Sequence, residues 1–196
     1  MLLKDVKVGL GLTGSFCTFK QVIPEIQRLI DEGADVSPIM SEASYNIDTR
    51  FGKANDFIDQ IETITNKKII NTIAEAEPIG PKSIIDVMVI APCTGNTIAK
   101  LANAITDTTV LMASKAHLRN NKPVVIAIST NDGLGINARN LGLLLNAKNM
   151  YFVPFRQDNP KDKHNSVVAK MELIVPTIQK ALEGKQIQPI LLGSDS

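Results

Sequence analysis

The stretch Gly9-Leu10-Gly11-Leu12-Thr13-Gly14-Ser15 decides the fold, because it carries an apolar, strand-like segment directly into small and hydroxylic residues. Later in the chain, Val87-Met88-Val89-Ile90-Ala91 runs in the same way into Pro92-Cys93-Thr94-Gly95-Asn96-Thr97. Each pattern predicts a buried strand followed by a turn and a helix. In an open α/β sheet, the turns after neighbouring strands share one crevice, where ligands bind. The two hydroxyl-rich turns therefore predict a crevice for a phosphate-bearing cofactor.

The rest of the chain alternates the apolar spacings that are typical of strands and of helices. This alternation predicts a single α/β domain over residues 1–185, built as a doubly wound parallel sheet with helices on both faces, and an irregular tail over 186–196. Near the end of the domain we expect a polar loop over 154–165 and a last helix over 167–182. The predicted strands span residues 6–12, 34–40, 86–91, 124–128 and 151–153.

The composition excludes several classes of function. The 196 residues carry a formal net charge of +1 and no run of Lys or Arg, which is unlike a nucleic-acid-binding protein. No apolar segment approaches the roughly 20 residues of a membrane span. The N-terminus lacks the apolar region of a signal peptide, so we expect a cytoplasmic protein. Cys17 and Cys93 are too few for a disulfide framework or a zinc site. We therefore expect no metal, and we expect both cysteines to pack as small buried residues.

The first turn permits three interpretations. Gly9-x-Gly11-x-x-Gly14 has the spacing of a dinucleotide-binding turn, but it also fits a monophosphate site in which Thr13, Ser15 and backbone N–H groups bind the anion. The third interpretation is a tight turn that needs glycine for close packing. A dinucleotide site requires an acidic residue after the second strand, where this chain has Ser41 before Glu42. A serine suits a phosphate better than a ribose diol, so the monophosphate site is narrowly preferred.

The second turn has a structural and a functional interpretation. Pro92 stiffens it, and Thr94 or Asn96 is placed to cap the helix that follows. On its own the turn would be interpreted as an ordinary helix N-cap, and only its pairing with the first turn favours a ligand. Asp107 precedes another helix and has the same two interpretations, with capping as the default for a single Asp.

Together these residues resemble a known family. The two turns, Ser41 and the segment from Ala91 to Asp107 are similar to those of the flavoprotein family of FMN-binding cysteine decarboxylases and flavin prenyltransferases. The resemblance spans nearly the whole chain. Its second half is specific to one branch from spore-forming bacteria and rests on the segments 129–135, 152–158 and 184–189.

The resemblance implies a Rossmann-like fold, homo-oligomers built on trimers, and FMN held at a subunit interface. Ser41 would bind the FMN phosphate. Residues of the first turn would meet the flavin, and the family pattern places four there: Gly11, Thr13, Gly14 and Ser15. Five further residues would line the ring and ribityl side of the flavin: Pro92, Cys93, Thr94, Thr97 and Asp107.

The chain also departs from the family pattern. Phosphopantothenoylcysteine decarboxylases of this family carry a catalytic His just before the third strand, where this chain has Glu77-Pro78-Ile79-Gly80-Pro81. They also carry a Pro-x-Met-Asn-x-x-Met-Trp motif, of which only Asn131 survives here, and this chain has no Trp. We therefore expect the chain not to decarboxylate cysteine substrates, so its chemistry must differ.

The branch implies an oxidation, that of a dihydrodipicolinate-type ring to dipicolinate in the mother-cell cytosol during sporulation. It also implies a second, different chain that resembles a nicotinamide-dependent dehydrogenase and holds NADP. The catalytic residues are not identified by the pattern. The candidates are Asn131, as a polar contact to substrate, and Arg156, because arginine pairs bidentately with carboxylates. Arg156 lies in a polar segment with Lys161, Lys163 and His164.

Two alternatives remain open from the sequence. The chain could be a non-catalytic structural or activating partner of the second chain, or it could be another FMN-dependent decarboxylase or prenyltransferase. The segment from Phe152 to Lys163 is expected to help form the dicarboxylate site or the contact with the second chain, because Phe and Arg are enriched at interfaces.

Overall fold

The computed structural model describes residues 1–193, in which seven strands alternate with eight α-helices. Short 3₁₀ helices cover Phe16–Thr18, Glu77–Ile79 and Met171–Leu173. Within the described residues, no helix is long and apolar enough to cross a membrane. The strands are β1 (Lys7–Leu12), β2 (Asp35–Met40), β3 (Val87–Cys93), β4 (Val124–Thr130), β5 (Met150–Phe152), β6 (Phe155–Asn159) and β7 (Lys163–Ala169). The helices are α1 (Phe19–Asp31), α2 (Glu42–Asn46), α3 (Ala54–Thr65), α4 (Ile73–Ala76), α5 (Gly95–Ala102), α6 (Thr109–Leu118), α7 (Ala138–Leu145) and α8 (Ile174–Leu182).

The centre of the sheet is parallel, in the order β2-β1-β3-β4, and β5 continues it along the first half of β4. Leu10 of β1 pairs with Pro38 on one side and with Val89 on the other. Every residue of β3 is buried, and so is Val124–Ser129 of β4, because helices flank this part of the sheet. The predicted Rossmann-like, parallel α/β fold is confirmed.

The end of the chain differs from the prediction. The polar loop expected over 154–165 is instead an antiparallel hairpin of β6 and β7, and β7 pairs with the last residues of β4. The last helix begins at Ile174 rather than at residue 167, because Val167–Ala169 completes β7. Val167 and Ala169 are buried in the core, whereas the charged residues nearer the hairpin turn are exposed.

Phe155 does not lie on an exposed surface. Its side chain is 2% exposed, that of Phe152 is 1% exposed, and their ring centroids lie 6.2 Å apart. Both rings therefore belong to the hydrophobic core, so the two Phe side chains of the segment from Phe152 to Lys163 are not exposed for contact with a second chain. That this segment helps to form the dicarboxylate site or that contact stays a prediction.

The described part of the tail, residues 186–193, packs along β5 and β6. The Gln186 side chain accepts a hydrogen bond from the Phe152 N–H and donates one to the Phe152 carbonyl. Phe155 N donates to Ile190 O, and Leu192 N donates to Phe155 O. The tail forms no helix over these residues, but backbone hydrogen bonds hold it to the domain.

Candidate functional site

A cleft of about 500 Å³ lies at the carboxyl ends of β1, β3 and β4 and is closed on one side by the β6–β7 hairpin. It is at the edge of the sheet where the strand pattern predicts a ligand. Its polar lining combines backbone, hydroxyl, amide, carboxylate and ammonium groups. The described lining residues are Gly14, Ser15, Phe16, Cys17, Thr18, Gln21, Phe51, Thr94, Gly95, Ser129, Thr130, Asn131, Asp132, Asp158, Lys163, Ser166, Val167 and Val168.

Thr13 joins the turn after β1 to the turn after β3. Its Oγ1 donates to the Pro92 carbonyl oxygen at 2.7 Å and accepts from the Thr94 N–H at 3.0 Å. The Thr13 N–H also donates to the Pro92 carbonyl at 3.3 Å, and the Ala91–Pro92 peptide is cis. Because Thr13 is only 2% exposed, its hydroxyl acts as a buried clamp that sets the position of Ser15 and Thr94 on the cleft.

Three hydroxyls form a closed set on the floor of the cleft. The Oγ of Ser129 lies 2.8 Å from that of Ser15 and 2.7 Å from the Oγ1 of Thr18, and the Ser15 and Thr18 oxygens are 3.2 Å apart. These contacts tie the end of β4 to the beginning of α1. The hydroxyl protons can rotate, so the set can either donate to a bound anion or accept from a bound donor.

A network of polar groups surrounds the N-terminus of α5. Thr94 caps this helix through a 3.2 Å bond from the Thr97 N–H to its Oγ1. The Asp132 carboxylate accepts from Thr130 Oγ1 at 2.6 Å and from Asn137 Nδ2 at 2.7 Å. A Cβ on Gly95 would lie 2.6 Å from Asp132 Oδ1, so only glycine allows this approach. The carboxylate is thereby fixed beside the helix N-terminus, where negative charge is favoured.

The hairpin contributes the charged side of the cleft. Lys163 Nζ donates to Asp158 Oδ2 at 2.8 Å, and the Ser166 Oγ lies 3.5 Å from the same oxygen. The hydrogen bond from Lys163 to Asp158 raises the pKa of the lysine, so it remains cationic. Lys163 is the one cationic side chain among the described residues that line the cleft.

The structure brings together part of the predicted site. Gly14, Ser15, Thr94 and Asn131 line the cleft, and Thr13 and Pro92 lie directly behind it as the clamp. Gly11 instead faces the helix that covers the sheet, since a Cβ there would lie 2.8 Å from atoms of Met88 on β3 and of Val110 on α6. Its role is close packing.

Ser41, Thr97 and Asp107 are not among the described lining residues. The Ser41 Oγ caps α2 by accepting from the Ser44 N–H at 3.3 Å. Thr97 Oγ1 lies 2.9 Å from Thr94 Oγ1. Asp107 is exposed and paired with Lys100 at 2.8 Å, and this hydrogen bond lowers the pKa of its carboxyl. These three side chains therefore cap helices or form pairs in the described chain, and their contact with a flavin stays a prediction.

The two cysteines have different environments. Cys93 is buried, and desolvation raises the pKa of its thiol far above the usual range, which makes it unreactive. Cys17 is exposed and lines the cleft, so the expectation that it is buried is wrong. It lies 4.0 Å from the Ser15 Oγ.

Of the cationic residues proposed after β5, the described cleft receives Lys163 but not Arg156. Arg156 is half-buried on β6, where it pairs in register with Val168. Four residues that line the cleft are not among those predicted from the sequence: Thr18, Ser129, Asp158 and Ser166. The position of Ser129 could have been predicted. It lies near the carboxyl end of β4, which neighbours β3, and residues at this end of neighbouring parallel strands share one crevice.

The turn after β1 fits a phosphate-bearing cofactor. The backbone at Gly14 is open, since a Cβ there would lie no closer than 3.6 Å to the Phe16 ring and 3.8 Å to Ala43. Backbone N–H groups and the Ser15 hydroxyl stand at the beginning of a helix, which is a favourable position for an anion. Among the described residues, no group of three His, Cys, Asp or Glu side chains could hold a metal ion.

Comparison with known proteins agrees with this fold. The sequence model of the Flavoprotein family matches residues 2–183. The chain therefore belongs to the Flavoprotein family.

Two relatives are similar to this chain over nearly its whole length. The chain is 52% identical over 190 residues to the B subunit of dipicolinate synthase from Bacillus subtilis (strain 168), and the match covers 97% of this chain and 95% of that protein. The crystal structure of the dipicolinate synthase B subunit from Bacillus halodurans C superposes with a TM-score of 0.91 at 50% identity, over 98% of this chain and 99% of that one.

A more distant structure shares the fold. The FMN-dependent cysteine decarboxylase SpaF aligns over 93% of this chain and 98% of its own, with a TM-score of 0.64 and 19% identity. The resemblance to the flavoprotein family that the two turns indicated is confirmed by these findings.

Proposed function

We propose that this chain is the flavoprotein subunit of a dipicolinate synthase, in which it takes part in the oxidation of dihydrodipicolinate to dipicolinate during sporulation, in the mother-cell cytosol. The observation that carries this proposal is the 52% identity to the B subunit of dipicolinate synthase, because it extends over 97% of this chain and 95% of that protein. The cleft at the carboxyl edge of the sheet is the proposed site of the reaction.

The proposed cofactor is FMN, which would supply an acceptor for two electrons. Gly14 would let the phosphate approach the open backbone of the turn, the Ser15 hydroxyl would bind it, and Thr94 would contact it from the neighbouring turn. Thr13 and Pro92 keep these two turns together. The remaining residues of the family pattern stay proposed contacts or supports of the flavin: Gly11, Ser41, Cys93, Thr97 and Asp107.

The substrate in this proposal is a small dicarboxylate. Aromatisation of the dihydropyridine ring removes a hydride and a proton, so the protein must hold the ring in a fixed orientation beside the acceptor. Lys163 supplies positive charge for a carboxylate, and the exposed Asn131 amide supplies a donor and an acceptor at the end of β4. Arg156 remains a second candidate for contact with the substrate.

The position of the histidines argues against cysteine decarboxylation by the family mechanism. Of the two in the chain, His117 is buried beside Pro123 and His164 is exposed on β7. Neither lines the described cleft, so the acid–base group that the decarboxylases use has no counterpart there.

The proposal includes a partner chain and self-association. The partner would be the A chain, which resembles a nicotinamide-dependent dehydrogenase and would hold NADP. The homo-oligomer would be built on trimers. Support for association comes from apolar side chains on the surface around α7, of which Ile136 is 80% exposed, Leu143 59% and Leu134 48%.

The test is a flavin titration of the purified chain with two glycine variants. Gly14→Ala should fold normally, because the added methyl group makes only ordinary contacts, yet it should crowd the backbone against the phosphate. We expect at least a tenfold loss of FMN affinity, measured by visible absorbance and flavin fluorescence. Gly142→Ala is the matched control, since no described atom lies within 4 Å of its new Cβ.

Activity is then measured with the A chain, as dipicolinate formed from dihydrodipicolinate. We expect the FMN-loaded chain to support formation and Gly14→Ala to reduce it together with FMN binding. A colourless chain that binds no added FMN but still activates the A chain would contradict the flavin role. It would instead support the alternative that this chain is a non-catalytic structural partner of the A chain. Release of carbon dioxide from a cysteine substrate would contradict the oxidative role.

A further inference from the structure

We infer that Lys163 is the carboxylate-binding cation of the cleft and that Asp158 is its resident counter-ion, which a ligand carboxylate displaces. The choice of a dicarboxylate as ligand rests on the proposed function. The pairing of the two side chains and its competition with anions rest on the geometry of the hairpin alone.

The two side chains face each other on the wall of the cleft. Lys163 Nζ lies 2.8 Å from Asp158 Oδ2, and both residues line the cleft. Their side chains are 55% and 37% exposed, so the pair is in contact with water. A carboxylate from solution can therefore reach the ammonium group that the Asp158 carboxylate now occupies.

The hairpin backbone holds this pair in place. Asn159 and Lys163 are paired in register, and the turn between them is closed by two side-chain bonds. Asn159 Nδ2 donates to Asp162 Oδ2 at 2.8 Å, and the Asp162 N–H donates to Asn159 Oδ1 at 3.2 Å. The positions of Lys163 and Asp158 are thus fixed by backbone, while their side chains can exchange partners.

The other acid in the cleft cannot take the role of counter-ion. Asp132 already accepts from Thr130 Oγ1 and Asn137 Nδ2, which hold its carboxylate beside Gly95. Asp158, by contrast, accepts from Lys163 and is 3.5 Å from the hydroxyl of Ser166. Ser166 is only 3% exposed, and its one hydroxyl proton is shared between the Thr130 carbonyl oxygen at 3.3 Å and Asp158 at 3.5 Å, so Asp158 is held less firmly than Asp132.

An exposed ion pair contributes little to folding, and replacing one carboxylate by another leaves the charge balance of the lysine unchanged. When a ligand carboxylate displaces Asp158, one ion pair with Lys163 replaces another, so the free energy of the protein changes little. The predicted consequence is that Asp158 lowers the affinity of the cleft for carboxylates, whereas Lys163 raises it.

The test is calorimetric titration of dipicolinate, a stable aromatic dicarboxylate, into the full chain at low ionic strength. Lys163→Gln should weaken binding at least tenfold, and Asp158→Asn should strengthen it severalfold. Lys161→Gln is the matched control, because this exposed lysine lies in the turn of the same hairpin and not among the described lining residues; it should stay within twofold. Thermal melting of each variant confirms that it is folded.

Three results would overturn the inference. They are no binding of dipicolinate to the wild-type chain at millimolar concentration, unchanged binding to Lys163→Gln, and weakened binding to Asp158→Asn. The last result would mean that Asp158 positions Lys163 instead of competing with the ligand. A chain that binds dipicolinate through Lys163 but takes up no FMN would contradict the proposed cofactor and still support this inference.

Cys17 gives an independent measure of where the ligand sits. It is exposed on the cleft, whereas the other thiol, Cys93, is fully buried. A thiol reagent such as 5,5′-dithiobis(2-nitrobenzoate) should therefore modify Cys17 selectively. We expect saturating dipicolinate to slow this modification severalfold in the wild-type chain and not in Lys163→Gln. Equal rates with and without dipicolinate in the wild-type chain would place the ligand outside the cleft and contradict the inference.

Discussion

The two walls of the cleft are built on different principles. One is the turn wall, which consists of the segments 13–18, 94–95 and 129–132. Its hydroxyls bond to one another, to backbone or to the Asp132 carboxylate. The other, the hairpin wall, consists of residues 158–168 and carries an ion pair exposed to water. Thr13 is 2% exposed and Ser129 is 8% exposed, whereas the Lys163 side chain is 55% exposed.

This difference separates two tasks. Because its polar groups already have partners, the turn wall has one shape, and it selects a ligand by that shape and by fixed backbone donors. The hairpin wall supplies a charge on a long, flexible side chain whose partner can be exchanged. The turn wall is therefore suited to a cofactor that stays bound, and the hairpin wall to a substrate that enters and leaves.

The largest expected effect comes from acid and concerns the beginning of β4, at the opposite end of this strand from the turn wall. His117 is 1% exposed, and its Nε2 donates to the Pro123 carbonyl just before β4, while Nδ1 has no hydrogen-bond partner. Burial, and to a lesser extent the charge of Lys122, lowers the pKa of His117 to about 4. A protonated ring would bury an unpaired N–H and a charge.

The sign of the pH effect follows from this lowered pKa. His117 has a pKa of 6.5 in the unfolded chain, so between pH 6.5 and about 4 the unfolded chain binds a proton that the folded chain does not. The free energy of unfolding therefore falls as the pH is lowered through this range, by about 3 kcal/mol in total. Urea unfolding at several pH values should show this slope, and His117→Gln should flatten it. His164→Gln, a change to the exposed histidine of the hairpin wall, should leave the slope in place.

The second prediction concerns a substitution that disrupts the packing of the turn wall. In Gly95→Ala the new Cβ would collide with Thr130 Oγ1 and lie 2.6 Å from Asp132 Oδ1 and 2.8 Å from Asn137 Nδ2. Since these three atoms are held by bonds to each other, we expect a loss of about 1–3 kcal/mol in the free energy of unfolding. Gly142→Ala on α7 should instead gain up to about 1 kcal/mol, because it meets no atom and favours the helix. Equal losses in both variants would contradict this explanation.

The turn wall could largely be predicted from the sequence, and the reason is local. Strands β1 to β4 are apolar runs followed by small residues, and their predicted bounds agree with the structure within two residues. The rule that turns after neighbouring parallel strands share a crevice then places Ser15 beside Thr94. The same rule predicts Ser41 at the crevice, since it follows β2, and the family resemblance adds Asp107. In the structure the Ser41 hydroxyl caps α2 and the Asp107 carboxylate pairs with Lys100.

The hairpin wall could not be predicted in the same way. Residues 155–165 are mostly polar and lack the alternation of apolar and polar residues that predicts a strand. They form strands because β6 pairs with β7, and β7 also pairs with β4 through Ser129 and Val168, residues that lie far apart in the sequence. This pairing also carries Lys163 to the cleft, whereas Arg156, its neighbour in the predicted cationic cluster, is placed on β6.

The smallest expected effect on stability is at the hairpin turn, and it sharpens the comparison of the two walls. Asn159→Ala removes both side-chain bonds to Asp162, but these lie in water, so we expect a loss of only about 0.5–1 kcal/mol in urea unfolding.

The same substitution should have a larger effect on ligand binding than on folding. Without the Asn159 bonds the turn loosens, and the ammonium group of Lys163 is no longer held at the cleft, so dipicolinate affinity should fall severalfold in calorimetry. Lys161→Ala in the same turn should change neither quantity. If Asn159→Ala unfolds the chain as readily as Gly95→Ala, the hairpin wall is part of the rigid framework; if it leaves affinity unchanged, the position of Lys163 does not depend on the turn.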